Sequence, residues 1–169
     1  ARAQQDDGSI PWFEEGPLDP WDHVEAAMGL AIGGKHDEAQ QAYYWLKKNQ
    51  LPNGSWFAAY KNGQVEDGTR AESNFVAYVA TGVWHYYLIT SDTAFLTKMW
   101  PTVVAAMEFV LRLQGPLGEI YWCEDSTLGI REDSLVTGCS SIYKSLECAL
   151  NIATTLGEDV SHWALARTR

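Results

Sequence analysis

The sequence contains little cysteine and no cysteine pattern typical of a metal site or a disulfide framework. Its three cysteines, Cys123, Cys139 and Cys148, form an odd set without zinc-ligand spacing. Cys139 and Cys148 fall on one predicted helix, about 13 Å apart along its axis, which is too far for a disulfide. We interpret all three as small buried thiols, and we expect neither a metal nor another cofactor.

Positive charge is also scarce. The chain has 12 Lys and Arg against 22 Asp and Glu, for a net charge of −10. Because a phosphate-binding surface needs the opposite sign, this balance argues against nucleic acid as a partner. No apolar run reaches the roughly 18 residues of a membrane span, so we expect no segment that crosses a membrane.

Alternation of apolar and polar residues is too weak to predict a sheet, and apolar residues recur instead at helical spacing. With 46% hydrophobic residues and eight Trp, residues 1–169 can bury a core as one all-α segment. We expect a capping box of Asp22 and Glu25 to start the first helix, and Pro101 to kink or restart the fourth. Six helices are predicted in three pairs: 22–33 with 37–50, 72–89 with 93–113, and 139–156 with a last helix after Asp159.

A short motif occurs three times, and each copy has Gln, then Gly four residues later, then Trp. We interpret it as the end of one helix and the turn into a long loop, rather than as a binding motif. The copies are Gln4, Gly8 and Trp12; Gln50, Gly54 and Trp56; and Gln114, Gly118 and Trp122.

The connections between predicted helices alternate in length. Links inside the pairs are very short, whereas the segments 1–21, 50–70 and 114–136 are long. In stacked antiparallel hairpins, alternate connections lie at opposite ends. The sequence therefore predicts all three long loops at one end of the protein.

The long loops are rich in acid and in tryptophan. They hold more than half of the 22 acids but few basic residues, so we expect one face to be both acidic and aromatic. The loop acids are Asp6, Asp7, Glu14, Glu15, Asp19, Glu66, Asp67, Glu119, Glu124, Asp125, Glu132 and Asp133, and the loop tryptophans are Trp12, Trp21, Trp56 and Trp122.

A face of this kind suits a saccharide. Sugar C–H patches lie flat on indole, hydroxyl groups need carboxylate partners, and glycoside hydrolysis needs two carboxyl groups beside the scissile bond. Other roles stay open, because a loop Trp often packs between hairpins, a helix-start His often bonds a carboxylate, and Asp67 lies in a turn sequence. The candidate substrate contacts are Trp12, Trp21, His23, Trp56, Asp67 and Trp122.

The paired helices with Gln, Gly and Trp at their junctions resemble α/α-toroid proteins, which include six-hairpin glycosidases and the terpene cyclase and prenyltransferase toroids. The stretches HYYLITSDTAFLTKMWPTVVAAMEFVLRLQ and LVTGCSSIYKSLECALNIATTLGED are similar to the middle of glucoamylase-like six-hairpin enzymes. They also resemble bacterial prenyltransferase-like toroids of unestablished activity. The resemblance implies helical hairpins of an (α/α)6 toroid, with about half a ring in this chain.

The resemblance also implies a general acid. In glucoamylase-like enzymes, a Trp followed by two acids in the loop before an inner helix supplies it. Trp122, Cys123, Glu124 and Asp125 occupy the like place here. Because a Cys stands where the first acid would be, Glu124 or Asp125 is the candidate, with the partner base expected several hairpins further along the ring.

Two other functions stay open at this stage. One is a non-catalytic module of the same fold that binds a glycan or a partner protein. The other is an isoprenoid enzyme, although the sequence has no DxDD motif and no recognisable Asp, Cys and His zinc set. An isoprenoid enzyme predicts an apolar, aromatic-lined cavity.

The number of hairpins gives one further expectation. A closed toroid needs about six hairpins, and three are predicted here. Half a ring would expose the apolar sides of 72–89 and 139–156, a larger patch than monomers tolerate. We therefore expect the chain either to be part of a longer domain or to associate with another copy or subunit.

Overall fold

The computed structural model describes residues 2–168, and its helices form three antiparallel pairs joined by short turns. The predicted all-α class and the predicted pairs are confirmed. The six helices are α1 (Pro20–Ile32), α2 (His36–Asn49), α3 (Ser73–Thr90), α4 (Thr93–Arg112), α5 (Val136–Leu156) and α6 (Ser161–Arg167).

The helices form two layers. α1, α3 and α5 pack side by side with α3 in the middle, and α2, α4 and α6 each pack behind their partner. The core lies between the layers, where the rings of Tyr43, Tyr86 and Phe95 are buried with centroids 4.4 to 6.0 Å apart. Such an inner and an outer helical layer is the arrangement of a toroid wall.

Two small sheets, which the sequence pattern did not predict, join the long loops. Strands of two to four residues are too short for a recognisable alternation. The first loop pairs with the second through β1 and β2, and the second with the third through β4 and β5, so the loops meet at one end as predicted. The strands are β1 (Pro17–Leu18), β2 (Ala59–Lys61), β3 (Gln64–Asp67), β4 (Arg70–Glu72), β5 (Cys123–Asp125) and β6 (Gly129–Arg131).

The start of α1 differs from the prediction. Asp19, not Asp22, is the N-cap, and its Oδ1 accepts a hydrogen bond from the Asp22 backbone N–H at 2.9 Å. Pro20 fits the first helical position, where no N–H is required. The predicted capping box of Asp22 and Glu25 is therefore wrong, and both side chains are left for other roles.

Helix α4 runs without a break through Pro101, so the predicted restart does not occur. The neighbouring Met99 and Val103 are fully buried, and this packing on both sides of the proline holds the helix together. By length and composition alone, with a mean hydropathy of 1.3, α4 could cross a membrane. Half of the helix is buried inside the fold, as in the core helix of a packed bundle.

The three Gln–Gly motifs form the same turn. Each Gln side-chain amide donates to the carbonyl of its own Gly and to a carbonyl of the next outer helix. Gln4 bonds Gly8 O (3.3 Å) and Glu38 O (2.8 Å). Gln50 bonds Gly54 O (2.9 Å) and Thr102 O (3.0 Å), and Gln114 bonds Gly118 O (3.1 Å) and Ala166 O (3.0 Å).

The tryptophans of the motif are not equivalent to one another. Counting from each Gly, Trp56 corresponds to Ile10 and Ile120, and all three are buried. Trp12 and Trp122 lie further along their loops. The motif is thus a Gln–Gly turn followed by a buried apolar residue, and it connects successive hairpins.

Apolar surface remains on both inner helices that the sequence singled out. α3 is covered by α1 and α5 on its sides and by α4 behind, and Leu88 and Ile89 at its end are exposed. The half-buried rings of Tyr78 and Trp84 also reach the surface. The free side of α5 exposes Val136 and Tyr143.

Candidate active site

Two carboxyl groups lie together at the start of α1, on the end of the protein where the long loops meet. Asp19 is only 7% exposed, and both of its oxygens accept hydrogen bonds. Oδ1 accepts from the Asp22 backbone at 2.9 Å and Oδ2 accepts from the Trp12 indole Nε1 at 2.6 Å. Asp19 therefore fixes the helix start, the neighbouring acid and the indole ring at once.

The side chain of Asp22 has an unusual proton affinity. Partial burial raises its pKa to about 6, and the charge of Asp19, a hydrogen bond with Asp19 and the charge of Glu25 all act in the same direction. The group still reaches solvent. A carboxyl group that keeps its proton close to neutral pH is suited to donate it to a leaving group.

An open cleft of about 300 Å³ adjoins Asp22. Trp12 is 59% exposed, and its bond to Asp19 holds the indole in one orientation. A fixed, exposed indole beside a carboxyl group of raised pKa offers a stacking surface to a sugar ring. The cleft is lined by Ile10, Pro11, Trp12, Asp22 and Ala26.

His23 lies beneath this loop and is fully buried. Its Nδ1 accepts from the Ile10 N–H (3.1 Å), so Nε2 carries the proton and donates to Ala42 O (2.9 Å). Burial lowers the pKa of His23 to about 4, so the ring is neutral at neutral pH. It ties the first loop to α1 and α2 and leaves no surface on which a saccharide could contact it.

Trp56 is also buried, at 1% exposure, and its Nε1 donates to Leu46 O at 2.8 Å. It closes the gap between two hairpins. Asp67 forms a turn, because its Oδ1 accepts from both the backbone N–H and the hydroxyl of Thr69 (3.0 and 2.8 Å). These bonds, above all the backbone bond, lower the pKa of Asp67.

A second group of side chains lies at the start of α3. Arg70 is within 3.4 Å of Asp67 and 3.1 Å of Glu72, and its guanidinium lies over the Trp122 ring at 5.6 Å. These ion pairs order the end of the second loop, where it enters α3. Burial raises the pKa of Glu72, and the charge of Arg70 opposes this rise. The ion pair with Arg70 fixes the position of the Glu72 side chain.

The two acids that the resemblance indicated have different surroundings. Glu124 is paired with both terminal nitrogens of Arg112 at 2.8 Å. Asp125 Oδ1 accepts from the Thr127 hydroxyl, the Thr127 N–H and the Leu128 N–H. These bonds lower both pKa values, which suits an acceptor and not a proton donor.

The candidate residues thus separate into three places. Trp12 and Trp21 lie around Asp19 and Asp22, with Trp21 stacked on Tyr78 of α3. Asp67 and Trp122 lie around Arg70, and Glu124 and Asp125 are held by Arg112 and by their own turn. Among residues 2–168, no group of three or more His, Cys, Asp or Glu side chains is placed to hold a metal ion.

Sequence reasoning missed Asp22 as a chemical group. The signal was the segment LDPWD, with two acids three residues apart at a helix start and a Trp between them. We interpreted Asp22 as a helix cap, because Asp serves both as a helix cap and as a catalytic acid.

A search of known proteins found a relative of this chain. The chain is 49% identical over 166 residues to an MMP endo-(1,4)-3-O-methyl-alpha-D-mannosidase of Mycolicibacterium hassiacum. That match covers 98% of this chain and 46% of the relative. No protein-family profile matches the chain.

Solved structures define the fold. An unsaturated glucuronyl hydrolase specific for heparin superposes with a TM-score of 0.72 at 16% identity, over 99% of this chain and 50% of that one. A D-mannose isomerase superposes with a TM-score of 0.71 at 11% identity, over 97% of this chain and 41% of that one. This chain spans about half the length of each protein. It has the α/α-toroid fold of the six-hairpin glycosidases and related enzymes, and it contributes about half of that ring.

Proposed function

We propose that the protein is a glycoside hydrolase in which Asp22 is the general acid. The observation that carries the proposal is the position of the Asp22 carboxyl group at an open cleft beside the fixed indole of Trp12, and the raised pKa of Asp22 supports it. Because the fold also occurs in an isomerase, the fold alone does not decide the chemistry. A relative at 49% identity that is named as a mannosidase supports hydrolysis.

The proposed reaction begins with proton transfer. The Asp22 carboxyl group gives its proton to the glycosidic oxygen while the bond from that oxygen to the anomeric carbon breaks. The proton on Asp22 is then restored from water, which the charge of Asp19 favours. The second carboxylate, which activates water or attacks the anomeric carbon, is proposed to come from the part of the ring that this chain does not contain.

The proposed substrate is an α-mannoside saccharide. The relative is named for an endo-(1,4) linkage and for 3-O-methyl-mannose. A methyl ether adds apolar surface and removes a hydrogen-bond donor, so aromatic surface suits it. Trp12 and Phe13 supply such surface, at 59% and 62% exposure.

Trp12, Trp21 and Trp122 remain proposed saccharide contacts. His23 and Trp56 are proposed to position the first two loops, and Asp67 to order the second. The remaining half of the ring, in the same polypeptide or in another subunit, is the proposed partner that completes the cleft. The cleft is open and holds the Asp22 carboxyl group, whereas the isoprenoid alternative needs a cavity that shields a carbocation from water.

Hydrolysis by matched variants tests the proposal. We expect Asp22→Asn to lower kcat on an oligomannoside by about 100-fold or more, the usual effect of removing a general acid. The defect shrinks on an aryl mannoside with a nitrophenol leaving group, because that group leaves without protonation. The control, Glu124→Gln with Asp125→Asn, leaves kcat within about threefold, since neither group donates a proton.

If the control loses activity and Asp22→Asn keeps it, the acid is Glu124 or Asp125. If the wild-type protein binds the saccharide by calorimetry without turnover, the protein is a non-catalytic module. If Asp22→Asn lowers kcat equally on both substrates, whatever the leaving group, Asp22 is not the general acid.

A further inference from the structure

A rigid pair of aromatic rings joins two inner helices beside the candidate site. Trp21 of α1 and Tyr78 of α3 stack with centroids 3.7 Å apart and planes inclined by 10°. Phe75 lies next to Trp21, 6.4 Å away in a tilted arrangement. Both stacked rings are only half-buried, so part of this aromatic surface faces away from the core.

Glu25 completes a group of three with this pair. It follows Trp21 by one helical turn, so the two side chains lie on the same side of α1. The Tyr78 hydroxyl donates to Glu25 Oε1 at 2.7 Å. Within residues 2–168, no other hydrogen bond reaches the Glu25 carboxylate, so Oε2 and a lone pair of the Tyr78 oxygen can still accept.

Packing alone does not account for this arrangement. Asp19 caps α1, and Asp22 and Glu25 lie in its first two turns, so three acids follow one another at intervals of three residues and like charges at this spacing repel. Natural sequences keep such unfavourable clusters chiefly at functional sites. An exposed carboxylate that is oriented by a stacked tyrosine is a preorganised acceptor for hydroxyl groups.

We propose that Trp21, Glu25 and Tyr78 form a saccharide subsite next to Asp22, and this rests on the proposed glycosidase function. One sugar unit contacts the exposed edge of the aromatic pair. Two neighbouring hydroxyl groups of that unit donate to Glu25 Oε2 and to the Tyr78 oxygen. The unit is neutral, because the nearby carboxylates repel an anionic sugar, and its two hydroxyl groups are free, because a methyl ether cannot donate.

Calorimetry with an unmethylated manno-oligosaccharide tests the subsite in a background of Asp22→Asn, which separates binding from hydrolysis. We expect Glu25→Gln and Tyr78→Phe each to weaken binding about tenfold, as for one hydrogen bond to a charged group. The double variant weakens it further than either single variant, because each acceptor binds its own hydroxyl group. Tyr143→Phe and Glu158→Gln, exposed and outside the cluster, are the matched controls.

In the hydrolytic protein, the same two variants raise KM about tenfold, whereas Tyr143→Phe and Glu158→Gln leave KM unchanged. Methylation of the ligand hydroxyls removes the difference between wild type and variants. If Glu25→Gln and Tyr78→Phe bind like the controls while Asp22→Asn abolishes hydrolysis, the subsite is wrong and the proposed function stands. If the wild-type protein neither binds nor hydrolyses the saccharide, both proposals are wrong.

Discussion

The indole N–H of Trp12 donates to the carboxylate of Asp19 at 2.6 Å, and this bond connects the aromatic and the acidic parts of the candidate site. The same Asp19 raises the pKa of Asp22. The buried carboxylate of Asp19 thus has two effects. It orients the Trp12 indole, which is proposed to bind the sugar, and it raises the pKa of Asp22, which is proposed to protonate the glycosidic oxygen. A change at Asp19 should therefore alter both functions.

Asp19→Asn is expected to move the pH profile. The substitution removes a negative charge beside Asp22, so the ionised form of Asp22 becomes less costly and its pKa falls. The high-pH limb of kcat/KM should shift to lower pH by about one unit, while Asn still caps α1. A pH–rate profile measures the shift, and an unchanged limb would contradict the role given to Asp19.

Asp22→Asn is expected to stabilise the protein at neutral pH. The folded-state pKa of Asp22 is raised from 3.8 to about 6, so the folded state binds more protons than the unfolded state between these values. Stability from this group is therefore present at low pH and is lost as pH rises from about 4 to 6. His23, whose pKa is lowered from 6.5 to about 4, acts in the opposite direction.

The difference between wild-type and variant melting curves isolates Asp22, because both proteins contain His23. Thermal unfolding at intervals from pH 4 to pH 7 should give a Tm difference that grows with pH in favour of the variant. Glu66→Gln, at an exposed position, is the control. A constant Tm difference over the whole range would show that Asp22 has an ordinary pKa.

Gly54→Ala is expected to be strongly destabilising. Gly54 has φ +91, and a Cβ there would lie 2.1 Å from Ala105 O of α4. The hairpins must then separate, with a loss of about 3 kcal/mol or more. Gly63→Ala is the matched control, with φ +72 but open space around the new Cβ, and it should cost about 1 kcal/mol. Denaturant unfolding measures both, and equal losses would mean that the contact with α4 is unimportant.

Gln50→Ala tests the bond between hairpins. It removes two hydrogen bonds from one amide, to Gly54 O and Thr102 O, and should cost about 2 kcal/mol. Gln64→Ala, at an exposed position in β3, should change the free energy of unfolding by less than about 0.5 kcal/mol. Similar values for the two variants would contradict the role of the Gln–Gly turn.

The sequence was sufficient to predict the helices and the end of the protein at which the long loops meet. Apolar spacing predicted three pairs of helices. Loop length predicted that the loops of Trp12, Trp56 and Trp122 meet at one end. Both patterns are local consequences of helical geometry. The Gln–Gly repeat was visible as well. Its partners were not, because the carbonyls of Glu38, Thr102 and Ala166 are set by packing between hairpins.

The site was less predictable, because proton affinity depends on three-dimensional surroundings. Glu124 stood in the expected sequence context, yet Arg112, twelve residues away along the chain, holds it ionised. The sequence predicted Asp22 as a helix-capping residue. In the structure Asp19 caps the helix, so the Asp22 side chain does not. His23 and Trp56 were candidates by residue type, and their burial is set by neighbours from other hairpins.

The pKa of Asp22 is the measurement that tests the account most directly. A side-chain carboxyl ¹³C NMR titration of the protein, assigned with Asp22→Asn, follows this one group without any assay of activity. The account predicts a midpoint of about 6, which moves down in Asp19→Asn. A midpoint at the ordinary value of 3.8 would show that the proton affinity of Asp22 is not raised, and the proposed general acid would then be wrong.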